Sequence, residues 1–306
     1  MIEWDNKKKV VLLAGSTGYI GKSLLAELLR KDFNVICITR GNDPEGFQKS
    51  SNKALKISYA NVCNFEEIDE VSNKFGQVDL IISCLGSRHG TKEEADDVEY
   101  GANINLLNVG KKLKVRQFIL LSAICVQKPV LLFQKAKLRF EKALISSDIR
   151  STIIRPTAFF KSISGQISRI KSGKRFVVFD SGQNTRCKPI SERNLSQFIC
   201  TKIFNNEAYD QTFIIGGPGP AVSLKEQGEL LFKLTSLTPK FFYMPSVILK
   251  IFTFIISPVA ICSKKAANYQ EFLKIGFFYA TESMLLWDNE KKTYDDKNTP
   301  EFGQET

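Results

Sequence analysis

VVLLAGSTGYIG, residues 10–21, is the stretch that decides the fold of this chain. Its first five residues are apolar and predict a buried strand, and the next seven follow a GxxGxxG spacing. Leucines at positions 24, 25, 28 and 29 then predict a helix with one apolar face. Glycines let a backbone approach a pyrophosphate closely, and the free N–H groups of a helix N-terminus attract its charge. This order of elements predicts a dinucleotide site, and a glycine turn used only for tight packing is the alternative.

The second predicted strand, residues 33–39, indicates which dinucleotide is bound, because it ends in Arg40. About 20 residues past the glycine turn, NAD sites carry an acid for the ribose 2′-hydroxyl, whereas an arginine accommodates the 2′-phosphate of NADP. No acid occurs after this strand before Asp43. A guanidinium binds phosphate through two parallel hydrogen bonds. The sequence therefore favours NADPH over NADH, and a solvated arginine at a strand end is the alternative.

Strands and helices alternate through the first half of the chain. Further strands are predicted at residues 55–59, 78–85, 118–122 and 151–154, and helices at 98–112 and 132–146. Such alternation implies right-handed crossovers and a parallel sheet. The predicted fold class is α/β, a Rossmann-like doubly wound parallel sheet with a smaller C-terminal substrate-binding region. We place the NADP-binding domain at residues 1–155 and the substrate-binding region, partly interleaved with the sheet, at 156–306.

The second half of the chain does not continue this regular alternation of strands and helices. The elements predicted there are a helix at 162–170, a hairpin made by 175–179 and the turn 180–182, a strand at 211–215, and a helix from Ser223 to 235. Ser223 and Glu226 form a capping-box pattern at the start of that last helix. From Asp288 onward the chain is polar, and we expect this tail to lie loosely on the surface.

Residues 241–262 are strongly apolar but are interrupted by Pro245, Lys250 and Pro258. A membrane span needs about 20 mostly apolar residues with few charges. We therefore expect a helix that packs in the core or lines a hydrophobic pocket. A helix lying in a membrane interface is the second interpretation, and a span is the least favoured.

The composition excludes several classes of function. The chain has 306 residues and a formal net charge of +11, which suits an anionic ligand or surface. Its lysines are dispersed and no nucleic-acid-binding motif occurs, so we predict no nucleic-acid partner. Seven cysteines form no C-x-x-C pair, which predicts reduced thiols and no metal site. The first nine residues contain no targeting segment, so we expect a protein that works where it is made, or a mature form.

The helix at 132–146 lacks a residue that short-chain dehydrogenases, which this cofactor pattern resembles, normally use. They carry Tyr-x-x-x-Lys, in which the lysine holds the nicotinamide ribose and the tyrosine exchanges a proton with a carbonyl. Here Lys137 is present, but the tyrosine position is Phe133. The usual catalytic Ser/Thr falls near Ala123 or Ile124, with Ser122 adjacent. We therefore expect neither an alcohol dehydrogenase nor a sugar epimerase.

Two explanations for the missing tyrosine remain. The protein either uses the nucleotide for sensing or structure without catalysis, or transfers hydride to a substrate that needs no strong acid. A vinyl group conjugated to a large aromatic ring is such a substrate, because the ring delocalises the charge left after hydride addition.

Several stretches resemble the signatures of one family. They are residues 121–129, 133–137, 155–162, 187–191, 215–219, 226–229 and 279–284. In this order they resemble the divinyl chlorophyllide a 8-vinyl reductases, atypical short-chain dehydrogenases of plants and many cyanobacteria. The resemblance implies NADPH-dependent reduction of the C8 vinyl group of divinyl chlorophyllide a, or of a close magnesium porphyrin precursor, to ethyl in chlorophyll biosynthesis. It implies a plastid location (stroma, or thylakoid or envelope surface) or a cyanobacterial-type cytoplasm.

A candidate function of another class is a non-catalytic NADP-binding photosystem assembly factor or an NmrA-like redox sensor, since these also lack the Tyr-x-x-x-Lys pair. The long match between Ser122 and Ser162 favours the reductase.

These arguments assign candidate site residues. Lys137 is the catalytic candidate, and peripheral membrane contact through residues 241–262 is left open. The cofactor-binding candidates are Gly15, Ser16, Thr17, Gly18, Tyr19, Ile20, Gly21, Arg40, Ser122 and Lys137. The substrate-binding candidates are Phe133, Phe159, Phe160 and Lys161, with residues 241–262 as a further apolar wall and Lys188 as the other candidate partner of a propionate.

The sequence offers no clear proton donor. His89, the only histidine, follows the fourth predicted strand, where a loop faces the nicotinamide in this fold, but a lone histidine is more often incidental. We expect water or a weak acid to complete the reduction.

Overall fold

A computed structural model describes residues 8–41 and 52–303 of the chain. Its strands, in chain order, are β1 (Val10–Ala14), β2 (Asn34–Thr39), β3 (Leu55–Tyr59), β4 (Leu80–Ser83), β5 (Gln117–Leu121), β6 (Arg150–Pro156), β7 (Ala158–Phe159), β8 (Phe176–Phe179), β9 (Arg186–Cys187), β10 (Pro189–Ile190), β11 (Gln211–Ile215), β12 (Val222–Ser223), β13 (Phe241–Met244), β14 (Leu286–Asp288) and β15 (Thr293–Asp295). Its α-helices are α1 (Tyr19–Arg30), α2 (Phe65–Ser72), α3 (Lys92–Glu94), α4 (Ala102–Lys112), α5 (Leu132–Ile145), α6 (Phe160–Ile163), α7 (Ile167–Lys171), α8 (Glu192–Thr201), α9 (Leu224–Leu234), α10 (Val247–Cys262) and α11 (Lys264–Thr281).

Seven strands form a parallel sheet in the order β11-β6-β5-β4-β1-β2-β3, which confirms the predicted fold class. β1 lies inside this sheet, where Val11 pairs with Val35 of β2 on one side and with Leu80 of β4 on the other. The strand order reverses between β1 and β4. Ligands of open α/β sheets bind outside the carboxyl ends of the strands at such a reversal. The edge strand β11 comes from the second half of the chain and pairs with β6.

The core lies on both faces of the sheet because successive side chains of a strand point to opposite faces. Leu12 packs on one face with Ile68 of α2 and Phe140 of α5. Leu13 packs on the other face with Leu24 of α1 and Phe198 of α8. Burial of each such leucine stabilises the fold by about 2 kcal/mol. The two helical layers therefore fix the position of the loop that follows β1.

The predicted hairpin at 175–182 was wrong. The turn exists, since Gly182 N–H donates to Phe179 O at 2.9 Å. However, β8 pairs in parallel with β13, a strand far along the chain, and β9 pairs antiparallel with β12. Phe176 and Phe241 meet edge to face across the first pair, with ring centroids 6.0 Å apart. Phe241 therefore belongs to a small core beside the sheet and is no pocket wall.

Two predicted helices are divided in the structure. The helix predicted at 98–112 begins with a π-helical segment, Ala95–Gly101, which continues into α4. The helix predicted at 162–170 is split into α6, a 3₁₀ turn at Ser164–Gln166, and α7. The capping box at the start of α9 is confirmed, because Ser223 N–H donates to Glu226 Oε2 at 2.6 Å and Glu226 N–H to Ser223 Oγ at 3.3 Å. Single-turn π segments often accompany functional sites, and this one carries Glu99.

Residues 241–262 form β13 and then α10, and no residue of α10 is buried. This corrects the expectation of a core helix. α10 packs against α11, where Gln270 Nε2 donates to Thr253 O at 3.2 Å. No helix within residues 8–41 and 52–303 is long and apolar enough to cross a bilayer. The exposed large apolar side chains of α10 are Val247, Ile251, Phe252, Phe254, Ile255, Val259 and Ile261.

The polar tail after Asp288 is held in place, contrary to the expectation of a loose segment. β14 and β15 pair antiparallel, and Trp287 packs against Tyr294 with ring centroids 4.9 Å apart. Gly216 N–H donates to Pro300 O at 2.8 Å, and Lys188 binds both Glu301 and Asp296. Two carboxylates of the tail therefore pair with a buried lysine and hold the segment on the protein.

Candidate functional site

The turn between β1 and α1 is tight enough to require glycine. Gly15 has φ +82°, and a Cβ there would lie 2.7 Å from Cys84 O in the loop after β4. A Cβ at Gly21 would lie 2.1 Å from Gly15 O. Gly18 N–H donates to Gly15 O at 3.0 Å and closes the turn. The turn therefore sits against the neighbouring strand at the point where the strand order reverses.

The same turn presents groups that suit a phosphate. No side chain caps the N-terminus of α1, and no acid lies in its first turn. Free N–H groups and the helix dipole favour an anion at that position. Ser16 Oγ is buried and, within the described part of the chain, has only the weak partner Cys37 Sγ. Burial raises the pKa of the Cys37 thiol to about 12. These residues fit the pyrophosphate of a dinucleotide.

Arg40 follows β2 and is exposed to solvent. Its charge acts on Cys63, whose pKa is raised by burial and lowered in part by Arg40. Asp43, the first acid after this strand in the sequence, lies outside the described residues. Arg40 is thus an exposed cation at the carboxyl edge of the sheet.

Lys137 faces a buried carboxylate that sequence reasoning missed. Lys137 Nζ lies 2.7 Å from Glu99 Oε2, close enough for an ion pair although poorly directed for a hydrogen bond. Glu99 Oε1 accepts from both the N–H and the Oγ of Ser87, each at 2.8 Å. Burial raises the pKa of the nearby Cys84 thiol to about 12, and the Lys137 charge opposes that rise. Glu99 therefore fixes the ammonium group beside the glycine turn.

A second group missed from the sequence is Tyr279 of α11. Its hydroxyl lies close to Cys125, in the 3₁₀ turn after β5, and within electrostatic range of Glu99. Burial raises the pKa of Tyr279 well above 10, and Cys125 and Glu99 raise it further. Its only sequence signal was its place in the signature stretch 279–284. Glu99 gave no signal, because a buried acid in a helical segment is recognised only from its tertiary partners.

Phe133 lies half-buried between two elements of this site. A Cβ at Gly90 would lie 2.6 Å from Ile275 Cδ1 and 3.5 Å from Phe133 Cδ1. Ile275 and Phe133 also pack against a small cluster that contains Cys125. Phe133 thus lies beside α11 at the position where related enzymes carry a phenol.

Ser122 has a different environment from Lys137. Its Oγ donates to Glu141 Oε1 at 2.5 Å, and Glu141 also forms an ion pair with Arg155. Ser122 and Glu141 are both buried. The Ser122 hydroxyl therefore joins the end of β5 to α5, and Glu141 in turn joins α5 to Arg155 of β6.

The predicted substrate residues lie next to the glycine turn. Phe159 meets Tyr19 edge to face with ring centroids 6.4 Å apart, and Lys161 Nζ lies 5.6 Å from the centre of the Tyr19 ring. Phe160 is exposed. Burial and the Glu192 carboxylate raise the pKa of Tyr19 to about 12. A cavity of 620 Å³ at this place is lined by Thr17, Tyr19, Lys22, Ser23, Lys161, Glu192 and Arg193.

Two other candidates are engaged elsewhere. His89 is exposed, and its Nδ1 lies 2.9 Å from Glu94 Oε1. Lys188 is buried, and its ion pairs with Glu301 and Asp296 leave it no room for a substrate carboxylate. Across the described ranges, no cluster of His, Cys, Asp and Glu side chains is arranged to hold a metal ion. The structure thus places residues 159–161 beside the glycine turn and Lys137 one helical turn from Phe133, whereas the His89 ring pairs with Glu94 and the Lys188 ammonium with Glu301 and Asp296.

Comparison with known proteins agrees with this site. The sequence profile of a family described as NAD(P)H-binding matches residues 15–203. The chain is 40% identical over 310 residues to the chloroplastic divinyl chlorophyllide a 8-vinyl-reductase of Arabidopsis thaliana. The alignment covers 97% of this chain and 74% of that protein. The corresponding protein of Zea mays is 38% identical over 307 residues, covering 97% of this chain and 77% of that protein.

The fold also matches a solved structure of low sequence identity. The UDP-glucuronic acid 4-epimerase of Bacillus cereus, determined with UDP-glucuronic acid and NAD, superimposes with a TM-score of 0.66 at 15% identity, covering 77% of this chain and 86% of that one. The fold and the glycine turn define a protein that binds a nicotinamide dinucleotide. Within that class, the chain belongs to the divinyl chlorophyllide a 8-vinyl-reductase family.

Proposed function

We propose that this protein is an NADPH-dependent oxidoreductase that reduces the C8 vinyl group of divinyl chlorophyllide a, or of a close magnesium porphyrin precursor, to ethyl. The observation that carries the proposal is the identity of 40% to a named reductase over 97% of the chain. The missing phenol at Phe133 supports it, because a vinyl group conjugated to a macrocycle needs no strong acid during hydride addition.

Different residues of the site bind different parts of the cofactor. The glycine turn and the N-terminus of α1 hold the pyrophosphate, Arg40 the 2′-phosphate and Lys137 the nicotinamide ribose. When bound, the cofactor supplies the hydride. Glu99 keeps the Lys137 ammonium in one position. The conformational entropy of this side chain is therefore already lost in the free protein and is not lost again when the cofactor binds. Ser122 acts through the position of α5, because its hydroxyl is used by Glu141.

The pigment lies between the sheet edge and the second half of the chain. Phe159 and Phe160 supply flat apolar contacts beside Tyr19, and Phe133 borders the nicotinamide end. Lys161 pairs with the propionate, since it is exposed next to the cavity while Lys188 is committed to Glu301. Open α/β sheets place their ligands at this edge.

Incubation of the purified protein with divinyl chlorophyllide and NADPH tests the activity. We expect the Soret band of the pigment to shift to shorter wavelength as the vinyl group is lost. A folded, NADPH-bound protein that produces no shift would contradict the proposal and favour the assembly-factor or redox-sensor interpretation. Lys137→Ala is expected to lose about 100-fold in turnover, because the nicotinamide ribose is then no longer held in position for hydride transfer.

The preference for NADPH depends on Arg40. Arg40→Asp is expected to weaken NADPH and improve NADH, because it exchanges a partner of the 2′-phosphate for an acceptor of the 2′-hydroxyl. The measurement is kcat/KM with each cofactor. NADH as effective as NADPH in the native chain, or an unchanged preference in the variant, would show that Arg40 does not select the cofactor.

We further propose that the protein works in a plastid, as its chloroplastic relatives do by name, and that α10 contacts the membrane surface there. The support is the exposed apolar face of α10 together with the exposed cations Lys250 and Lys265. Amphipathic helices with lysines beside such a face lie in the interface of anionic membranes. Weaker co-sedimentation of Phe254→Ser with anionic vesicles is the expected result.

A further inference from the structure

We propose that Tyr279 donates the proton that completes the reduction, from helix α11, in place of the tyrosine that is missing at Phe133. This inference rests on the proposed function, because it assigns a residue to the second half of that reaction.

The position of α11 is set by its contacts with the first turn of α5. Glu271 is buried, and its Oε1 accepts the N–H of Leu132 at 3.1 Å. One turn later, Ile275 lies beside Phe133 near Gly90. Residues four apart lie on one face of a helix, so Tyr279 continues the same face by a further turn. The contacts of α11 therefore bring Tyr279 to the sheet edge that carries Lys137.

The hydroxyl of Tyr279 lies at the reactive end of the cofactor site. It lies close to Cys125, the residue after Ile124, in the turn after β5 where short-chain dehydrogenases carry their catalytic hydroxyl residue. It also lies within electrostatic range of Glu99, the partner of Lys137. The residue as a whole remains 47% exposed, so its ring borders solvent. A buried hydroxyl on a ring that borders solvent is suited to proton delivery.

The protonation state is the one a donor needs. Burial raises the pKa of Tyr279 well above 10, and the neighbouring Cys125 and Glu99 act in the same direction. The phenol therefore carries its proton throughout the neutral range. It is a weak acid, but a carbanion conjugated to the pigment is a far stronger base than phenolate. His89, exposed and paired with Glu94, is not positioned for this step.

The reduction takes place in two steps. Hydride adds to the terminal vinyl carbon, and the electron pair of the double bond moves to the inner carbon and the macrocycle. The O–H bond of Tyr279 then breaks while a C–H bond forms at the inner carbon, which gives the ethyl group. The phenolate is protonated again by solvent.

The variant Tyr279→Phe tests the assignment. We expect kcat to fall by about 100-fold, the lower part of the range for general acid catalysis, with the pigment KM and the NADPH Kd unchanged. Tyr269→Phe is the matched control, because Tyr269 lies on the same helix with an exposed ring stacked on Phe272. It is expected to keep the native rate. Thermal unfolding of both variants measures any loss of stability.

A second readout does not depend on turnover. The difference in phenolate absorbance between the native protein and Tyr279→Phe is expected to titrate above pH 10. Titration of this phenol near its ordinary pKa of 10, or full activity in Tyr279→Phe while the native protein is active, would overturn the role of Tyr279. Either result would leave the proposed function standing. An equal loss of rate in Tyr269→Phe would overturn the role of Tyr279 too. An inactive native protein would instead remove the proposed function and this role with it.

Discussion

β1 and α10 are both strongly apolar in sequence, yet the structure treats them in opposite ways. Every residue of β1 is buried between two layers of helices. No residue of α10 is buried, and Phe254 and Ile261 are 81% and 85% exposed. Apolar composition therefore identifies a segment that avoids water. It does not show whether that segment is buried against protein or contacts another apolar phase. In β1 the neighbouring strands decide the outcome, whereas in α10 only one side has a protein partner.

The largest effect is expected at the buried turn. Gly21→Ala places a Cβ 2.1 Å from the backbone oxygen of Gly15, a clash that no side-chain rotation relieves. We expect a loss of about 3 kcal/mol or more in the free energy of unfolding and loss of cofactor binding. Urea unfolding and a fluorescence titration with NADPH measure the two effects.

Gly165→Ala is the control for that change, because no atom lies within 4 Å of its added Cβ. It should leave both measurements unchanged. If Gly21→Ala bound NADPH with native affinity, the turn would not be the cofactor site.

An intermediate effect is expected at Lys188. Lys188→Met leaves Glu301 and Asp296 without their buried cation, at a loss of about 2 kcal/mol in stability. Hydrogen bonding from Lys188 lowers the pKa of Glu301 below its ordinary 4.5. The stabilisation is therefore present above that value and disappears as the pH falls through the lower pKa of the folded state. Urea unfolding at neutral and acidic pH should show the two proteins converging in acid.

Lys161→Met is the counterpart to this change, since Lys161 is exposed beside the cavity. It should raise the pigment KM and leave stability native. The reverse pattern, a stable Lys188→Met with a raised pigment KM, would show that Lys188 and not Lys161 pairs with the propionate.

The smallest effect on stability is expected on α10. Phe254→Ser should change the free energy of unfolding by no more than about 0.5 kcal/mol, as exposed positions generally do. Leu13→Ala in β1 should cost about 3 kcal/mol by creating a cavity. The same Phe254→Ser variant should bind vesicles of anionic lipid less well in a co-sedimentation assay. Equal stability losses at the two positions, or native vesicle binding by Phe254→Ser, would contradict the comparison.

Sequence patterns predicted the parts of the fold that depend on local order. The strands β1, β2 and β3 and the helix after the glycine turn follow from apolar periodicity, and the parallel sheet follows from their alternation. The pairing of β8 with β13 did not follow, because nothing near residue 176 indicates a partner beyond residue 240. The tail after Asp288 looked loose for the same reason: its partner, Lys188, is distant in sequence.

The candidate site likewise contains residues that the sequence predicts and residues that only the structure shows. The glycine turn, Arg40 and Lys137 are recognisable because spacing alone relates them to the strands they follow. Glu99 and Tyr279 acquire a role only when the π segment and α11 come together at one sheet edge. Phe133 is recognisable in the sequence as a departure from the usual tyrosine, whereas its packing beside Ile275 of α11 is visible only in the tertiary structure.

Isotope tracing tests the central claim, transfer of hydride to the C8 vinyl group, most directly. Divinyl chlorophyllide is reduced with NADPH deuterated at C4, each face labelled in turn, and the product is examined by NMR and mass spectrometry. The account predicts one deuterium on the terminal carbon of the new 8-ethyl group from one of the two labels, and a proton from solvent on the inner carbon. A product that carries no deuterium from either label, or carries it elsewhere on the macrocycle, would contradict it.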